Sequence, residues 1–234
     1  MSNTEIINAS LVHTPVALVV DRSISISSVK EEMNQSLDVF LTVIHSFNEI
    51  AGVLDLALYE YSDEVVRKQP FYAVVNSTKE WHIEPDGCTR ADLALKQAFD
   101  DMQHYKHEVL QRQNVSYNRG LVFHITDGQS QGDIEELARC AKKLEENKSL
   151  VLYTIATHGA DLSQIQRYTS AERIIDLTGC DIGESLPSIL AAVAVLSASS
   201  AGSGSGSGSI AKAVNTEATA KAASLLADFG LADK

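Results

Sequence analysis

Short, continuous apolar runs are the feature that most constrains how this chain can fold. Runs of strand length occupy residues 15–20, 120–126 and 150–156. Successive side chains of a strand point to opposite faces of its sheet, so an unbroken apolar run predicts a strand buried on both faces. Such strands belong to parallel sheets that are covered by helices.

Helical spacing fills the intervals between these runs. The predicted helices span residues 29–50, 91–113, 134–147, 162–169 and 184–196. Alternation of buried strands and crossover helices predicts an α/β fold, a doubly wound, mostly parallel Rossmann-like sheet with helices on both faces. Two more strands, 54–61 and 65–75, flank only three residues, which predicts a hairpin and hence one antiparallel edge strand; a short strand is predicted at 173–177.

A perfect Gly-Ser alternation at residues 202–209 divides the chain. Such a repeat behaves as a flexible coil and is typical of an engineered tether. We therefore expect a globular domain at 1–198, a linker at 199–209 and a tethered segment at 210–234.

Charge and cysteine content exclude several classes of function. The formal net charge is -12, so neither nucleic acid nor an anionic membrane is an expected partner. The three cysteines are widely spaced and form no CxxC pair, which is typical of reduced thiols in the cytoplasm. No signal peptide or membrane-spanning run is recognisable, so we expect a cytoplasmic protein.

Polar side chains follow the predicted strands at the rim where ligands bind doubly wound sheets. Asp21-x-Ser23-x-Ser25 follows the first buried strand, and Asp127 follows the strand at 120–126. Thr89 precedes the second long helix. The five candidate ligands Asp21, Ser23, Ser25, Thr89 and Asp127 offer only oxygen, which suits Mg²⁺, or else Mn²⁺ or Ca²⁺, better than zinc or copper.

This pattern resembles the metal-ion-dependent adhesion site of von Willebrand factor type A domains. That family combines Asp-x-Ser-x-Ser, a Thr in the second loop and an Asp in the third. The resemblance covers about residues 14–198. Within the family, this sequence is similar to small bacterial cytoplasmic members, including those of tellurium-resistance gene clusters. It implies a non-enzymatic adaptor that binds a protein partner through the metal. Ile24 stands where the family often has Gly, and it could pack beneath the loop or contact a partner.

The tethered segment is predicted to be an amphipathic helix that comes from a binding partner. Its narrow apolar stripe includes Ile210, Val214, Leu225 and Phe229. We expect this stripe to dock in a groove of the domain, where a carboxylate of Glu217, Asp228 or Asp233 would complete the metal sphere, with Glu217 the first choice. Docking could occur within one chain or between two.

Other interpretations stay open beside this one. The domain could bind its partner through a surface groove without using the metal, or act as a metal-dependent hydrolase. No residue near the serines is predicted to act as a base, and neither glycine-rich nucleotide motif occurs, which disfavours catalysis and nucleotide binding. His104 and His107 are expected on a solvent-facing polar stripe that includes Lys106, and His124 in the core.

Overall fold

The computed structural model of the chain describes residues 11–46 and 52–202. The strands found there are β1 (Thr14–Asp21), β2 (Leu54–Tyr61), β3 (Val65–Ala73), β4 (Gly120–Thr126), β5 (Leu150–Ala156) and β6 (Ile174–Asp176). These strands form one sheet in the order β3-β2-β1-β4-β5-β6. β3 runs antiparallel to β2 at the edge and the other neighbouring pairs are parallel, as the sequence predicts.

Helices cover both faces of the sheet. They are α1 (Lys30–Ser46), α2 (Ala91–His104), α3 (Ile134–Glu146), α4 (Leu162–Ile165) and α5 (Ile182–Gly202). α1 and α5 pack on one face with Val16, Leu18 and Val20 of β1, whereas α2, α3 and α4 pack on the other with Ala17 and Val19. The apolar side chains of β1 therefore belong to the cores on both faces of the sheet. The predicted doubly wound fold is confirmed.

Several element boundaries differ from the predicted ones. A 3-10 helix at Ile24–Val29 precedes α1, and residues 47–50 of the predicted first helix lie outside the described residues. The predicted helix 91–113 continues past α2 as a π-helix at Tyr105–Leu110 and a 3-10 turn at Gln111–Gln113. α5 continues to Gly202, because the Ser and Ala residues after its apolar run are compatible with helix even though they carry no apolar periodicity.

Three elements are also shorter than predicted. β3 ends at Ala73 and passes into a 3-10 turn at Val74–Asn76, whereas α4 is a single turn and β6 has three residues. Elements this short have too few residues for periodicity to mark their ends. No helix in the described ranges has both the length and the apolar character needed to cross a membrane.

The sheet has its switch point between β1 and β4. From β1 the chain passes to β2 on one side, whereas β4 leads to β5 on the other. The loops after β1 and β4 thus diverge to opposite faces and leave a crevice between them, which is where doubly wound sheets bind ligands.

Candidate metal centre

Asp21 ends β1 and is fully buried. Its Oδ1 accepts a hydrogen bond from the backbone N–H of Ser23 at 2.9 Å. Its Oδ2 accepts from the Thr126 hydroxyl at 2.8 Å and from the Tyr61 hydroxyl at 3.3 Å. These bonds fix the orientation of the carboxylate at the floor of the crevice.

The two serines lie where the chain changes conformation. Ser23 is extended, with φ -60° and ψ 160°, but a 3-10 helix starts at Ile24, so Ser25 lies in a helical turn. The Ser23 and Ser25 hydroxyls nevertheless lie 2.9 Å apart. Ser23 is buried and Ser25 exposed, which places this pair at the boundary between the floor of the crevice and solvent.

Thr89 belongs to a second loop that is hydrogen-bonded to the other two. The Ile24 N–H donates to the Gly87 carbonyl at 3.1 Å, and the Gln131 N–H donates to the Thr89 carbonyl at 2.9 Å. Gly87 has φ 62°, and a Cβ there would lie 2.5 Å from Asp63 Oδ2. The turn therefore requires glycine. Thr89 itself is 4% exposed.

Arg22 secures the first loop against the second. Its Nη1 lies 2.5 Å from Asp86 Oδ1, and its backbone carbonyl accepts from the Asp86 N–H at 2.8 Å. Asp86 also accepts from the Ser62 hydroxyl at 2.7 Å. These interactions lower the pKa of Asp86, first through the Arg22 hydrogen bond and then through Ser62. The residue between Asp21 and Ser23 is thus an anchor for the loop that carries Thr89.

Asp127 follows β4 and is 3% exposed. Its Oδ1 accepts from the Gln129 N–H at 3.2 Å, and its carbonyl accepts from the Asp161 N–H at 2.9 Å. Gly128 has φ 74°, and a Cβ there would lie 2.8 Å from Ile165 Cδ1. The third loop is thereby packed tightly against α4.

Asp21 is the carboxylate that its surroundings perturb. Burial raises the pKa of Asp21 to about 6, opposed by its hydrogen bonds with Ser23 and reinforced by the negative charge of Asp127. A cation between these groups would offset both the burial and the repulsion. No group of three or more His, Cys, Asp or Glu in the described ranges could hold a metal, so a cation here would also need hydroxyl ligands. Ser23, Ser25 and Thr89 supply such oxygens, and the residues present fit a hard divalent cation.

A buried polar cluster lies beneath Asp21. The sequence predicts His124 in the core, which is confirmed, but it does not indicate the contacts of that side chain. His124 is fully buried, with Nε2 2.7 Å from the Tyr61 hydroxyl and with no hydrogen-bond partner at Nδ1, so only one of its nitrogens is satisfied. Burial lowers the pKa of His124 to about 3 and raises those of Tyr61 and Tyr168. In the sequence, the only indication of this cluster is the presence of polar residues in apolar strands.

The other predicted site residues have different outcomes. Ile24 is 65% exposed at the rim and does not pack beneath the loop. His104 and His107 are exposed, as expected, but Lys106 is 3% exposed and buried. The predicted partner-binding residues Ile210, Val214, Glu217, Leu225 and Phe229 lie outside the described residues, as does most of the linker.

Solved structures with this fold include matrix and adhesin proteins. Proximal thread matrix protein 1 from the mussel byssus has a TM-score of 0.55 at 16% identity over 80% of this chain and 48% of that chain. A structure of the same protein with a zinc-occupied metal-ion-dependent adhesion site has a TM-score of 0.55 at 20% identity over 80% and 46% of the two chains. Pilus adhesin SpaC from Lactobacillus rhamnosus GG, in an open conformation, has a TM-score of 0.59 at 11% identity over 80% and 30%.

This chain therefore spans less than half the length of each of these three structures. At such identities the likeness shows the fold alone. No curated protein matches the sequence significantly. The family model for the von Willebrand factor type A domain matches residues 16–178, which is well over half of the 234 residues. The chain belongs to the von Willebrand factor type A domain family.

Proposed function

We propose that this domain is a non-enzymatic, metal-dependent protein-binding module. Asp21, Ser23, Ser25, Thr89 and Asp127 would hold one divalent cation at the carboxyl-end rim. The observation that carries the proposal is the hydrogen bonding between the three loops, which brings these oxygen-bearing residues to one crevice. Calorimetric titration of the chelator-treated chain with Mg²⁺ tests the metal site.

Magnesium is the cation we favour, with manganese or calcium as alternatives. Two carboxylates and three hydroxyls make a hard but weakly charged ligand set, which suits an ion that keeps some of its water. When bound, the cation would offer an electrophilic position to an anionic oxygen. An acidic side chain of a protein partner is the group expected there.

The exposed surface of the first loop supports a protein as the ligand. Ile24 presents a side chain that is 65% exposed directly beside Ser25. The buried core of a protein interface is mostly apolar and depleted of charge, so an exposed apolar side chain is suited to it. We assign Ile24 the role of packing against the partner.

Catalysis is the weaker interpretation. The Ser23 hydroxyl lies against the Ser25 hydroxyl, 2.9 Å away, and a neighbouring hydroxyl cannot serve as the general base that a serine nucleophile needs. A screen with phosphoesters and Mg²⁺ tests the hydrolase alternative. Turnover that is lost in Asp21→Asn would favour the hydrolase over the binding module.

The tethered segment is proposed to be the partner's docking helix. Residues 210–234 would place the apolar stripe of Ile210, Val214, Leu225 and Phe229 in a groove, with Glu217 directed to the cation. A flexible linker would raise the local concentration of such a peptide to roughly millimolar. We propose an engineered fusion to a bacterial, cytoplasmic adaptor, of the type found in tellurium-resistance clusters.

Calorimetry with a synthetic peptide of residues 210–234 tests docking. The titrated chain would end at Gly202, and its circular dichroism would first be matched to that of the full chain. Binding heat with Mg²⁺ that disappears with EDTA supports the metal contact. Equal heat in both buffers favours the metal-independent groove, and no heat in either rules out this segment as the ligand.

Glu217→Gln in the full chain separates the metal contact from the groove. If Glu217 completes the metal sphere, the substitution weakens Mg²⁺ affinity. Glu172→Gln is the matched control, because it makes the same change at an exposed glutamate before β6, away from the rim. An equal Mg²⁺ affinity in both variants would exclude Glu217 as a ligand.

A further inference from the structure

A basic pocket lies at the end of the sheet opposite the candidate metal centre. It has a volume of about 240 Å³ and lies beside the amino ends of β4 and β5. Its lining includes Lys106, His107, Arg119 and Lys148, and none of the residues that line it is acidic. In a protein with a net charge of -12, such a local excess of cations is unexpected.

Lys106 is the buried cation of this pocket. The π-helix Tyr105–Leu110 departs from the 3.6-residue period of α2, and Lys106 is only 3% exposed. Its Nζ donates to the Ser149 carbonyl at 2.5 Å and lies 5.5 Å from the centre of the Tyr117 ring. π-Helical turns are rare and are frequently found at functional sites.

Arg119 brings a second cation close to Lys106. Its Nε donates to the Leu150 carbonyl and its Nη2 to the Glu145 carbonyl, both at 2.8 Å. Burial and then the charge of Arg173 lower the pKa of Arg119, opposed by the charge of Glu145. Burial, and then the charge of Arg119, lower the pKa of the Lys106 amine to about 8. Two like charges this close in a partly desolvated pocket repel each other, and an anion between them would remove that repulsion.

Lys148 supplies a third cation at the pocket mouth. It is exposed and has φ 56°, a left-handed conformation that is uncommon for a lysine. The turn between α3 and β5 thus presents one exposed cation beside two that are hydrogen-bonded to backbone carbonyls. An ammonium group on a flexible stem is well suited to a compact anion with several oxygens.

We propose that this pocket binds a phosphate-type oxyanion, either free or as the phosphoryl group of a small molecule, between Lys106, Arg119 and Lys148. The volume is below the roughly 300 Å³ at which pockets for drug-sized ligands begin, so a compact anion fits better than a whole nucleotide. The site is independent of the metal centre, and the proposal does not depend on the protein-binding function.

The experiment is a calorimetric titration of the full chain with inorganic phosphate, in chelator and at constant ionic strength. A second arm uses O-phosphoserine. Saturable binding of phosphate supports the proposal; binding of O-phosphoserine as well extends the site to phosphoryl groups on larger molecules. The proposal is overturned if neither ligand shows saturable binding up to roughly 20 mM, where a millimolar site would be filled.

Three variants locate the anion. Lys106→Met keeps the side-chain volume without the charge and should weaken phosphate binding about tenfold, as expected for loss of a charged hydrogen bond. Lys148→Asn removes the mouth cation while tolerating the left-handed backbone, and should weaken binding severalfold. Lys143→Asn is the control, since Lys143 is exposed on α3 outside the pocket.

The phosphate affinities of the two asparagine variants test the proposal even if Lys106→Met fails to fold. Weaker phosphate binding in Lys148→Asn than in Lys143→Asn supports the pocket. Equal binding in these two variants overturns it, because the effect would then be one of net charge.

Discussion

The Thr126 hydroxyl at the end of β4 donates a 2.8 Å hydrogen bond to Oδ2 of Asp21 at the end of β1. The same oxygen lies 3.3 Å from the Tyr61 hydroxyl at the end of β2. Both strands that flank β1 therefore hold this carboxylate. The sheet itself sets the orientation of the principal candidate metal ligand, which reduces the ordering that a cation must impose.

Loss of the Thr126 hydroxyl should weaken both the fold and the metal site. Thr126→Val removes a donor to Asp21 and the acceptor of the Gly128 N–H. We expect a loss of about 1–3 kcal/mol in the free energy of unfolding and about tenfold weaker Mg²⁺ binding. Urea unfolding and calorimetry measure the two effects.

Thr154→Val is the matched control for that substitution. Thr154 is also buried in a central strand, and its hydroxyl lies 2.7 Å from the Thr169 hydroxyl. Its loss should destabilise the protein to a similar degree without changing Mg²⁺ affinity. Equal Mg²⁺ affinity in both variants would show that the Thr126 hydroxyl does not support the metal site.

Removal of the Asp21 charge should stabilise the metal-free protein. Because burial and then Asp127 raise the pKa of Asp21 to about 6, its ionised form is unfavourable in the fold above that pH. Asp21→Asn should therefore raise the free energy of unfolding in chelator at pH 8 by up to roughly 3 kcal/mol, less any loss from an imperfectly paired amide. This advantage should vanish below pH 4.

Thermal unfolding with and without Mg²⁺ checks this prediction. Mg²⁺ should raise the melting temperature of the wild-type protein and leave Asp21→Asn unchanged, since a ligand stabilises only the state that binds it. A marked loss of stability in Asp21→Asn in chelator at pH 8 would contradict the electrostatic argument.

Acid should destabilise the fold partly through His124. Burial lowers its pKa from 6.5 to about 3, so the unfolded chain gains a proton first as the pH falls. The stability that neutral His124 contributes is complete above pH 6.5 and is lost towards pH 3, at about 1.4 kcal/mol per pH unit. Asp21 acts in the opposite direction between pH 6 and 3.8, so the wild-type slope alone is ambiguous.

His124→Gln isolates the histidine contribution, because a neutral amide can still pair with Tyr61. We expect the variant to lose stability less steeply than the wild-type protein between pH 6 and 4.5, measured by urea unfolding. Parallel stability curves over this range would show that His124 does not titrate in this way.

Gly128 should be required for the third loop. Gly128→Ala imposes a left-handed backbone on alanine and places its Cβ against Ile165, so we expect a loss of about 2–3 kcal/mol. Gly159→Ala is the control, since Gly159 has φ 79° but nothing within 4 Å of its added Cβ. It should show only the backbone cost of about 1 kcal/mol. Equal losses in urea unfolding would exclude the Ile165 contact as the cause.

Apolar runs and loop composition explain why so much of the architecture could be predicted. The run before Asp21 had no polar residue to mark a solvent-facing side, and both faces of β1 are indeed buried. The three residues Ser62 to Glu64 are too few for a crossover, so they predict a hairpin. The second strand of that hairpin is the antiparallel edge strand β3. Asp21 and Asp127 could be placed on one rim because parallel strands end on the same side. Thr89 could be added because it precedes a helix, and the crossover helices of such sheets begin at that rim.

Three-dimensional pairing explains what could not be predicted. Tyr61, His124 and Thr126 come from two separate strands, and nothing in a single sequence indicates that their side chains meet. Lys106 was expected on a solvent-facing stripe because a 3.6-residue period was assumed. The π-helix breaks that period, and Lys106 is buried against Ser149.

The proposed function depends on the binding of a divalent cation by the rim oxygens. Its most direct test is calorimetric titration of Mg²⁺ into the chelator-treated full chain, its Asp21→Asn and Thr89→Val variants, and the half-exposed control Asp38→Asn. We predict saturable Mg²⁺ binding to the wild-type and control proteins and at least about tenfold weaker binding to the two rim variants. Absence of Mg²⁺ binding to the wild-type chain, or equal affinity in all four proteins, would contradict the account.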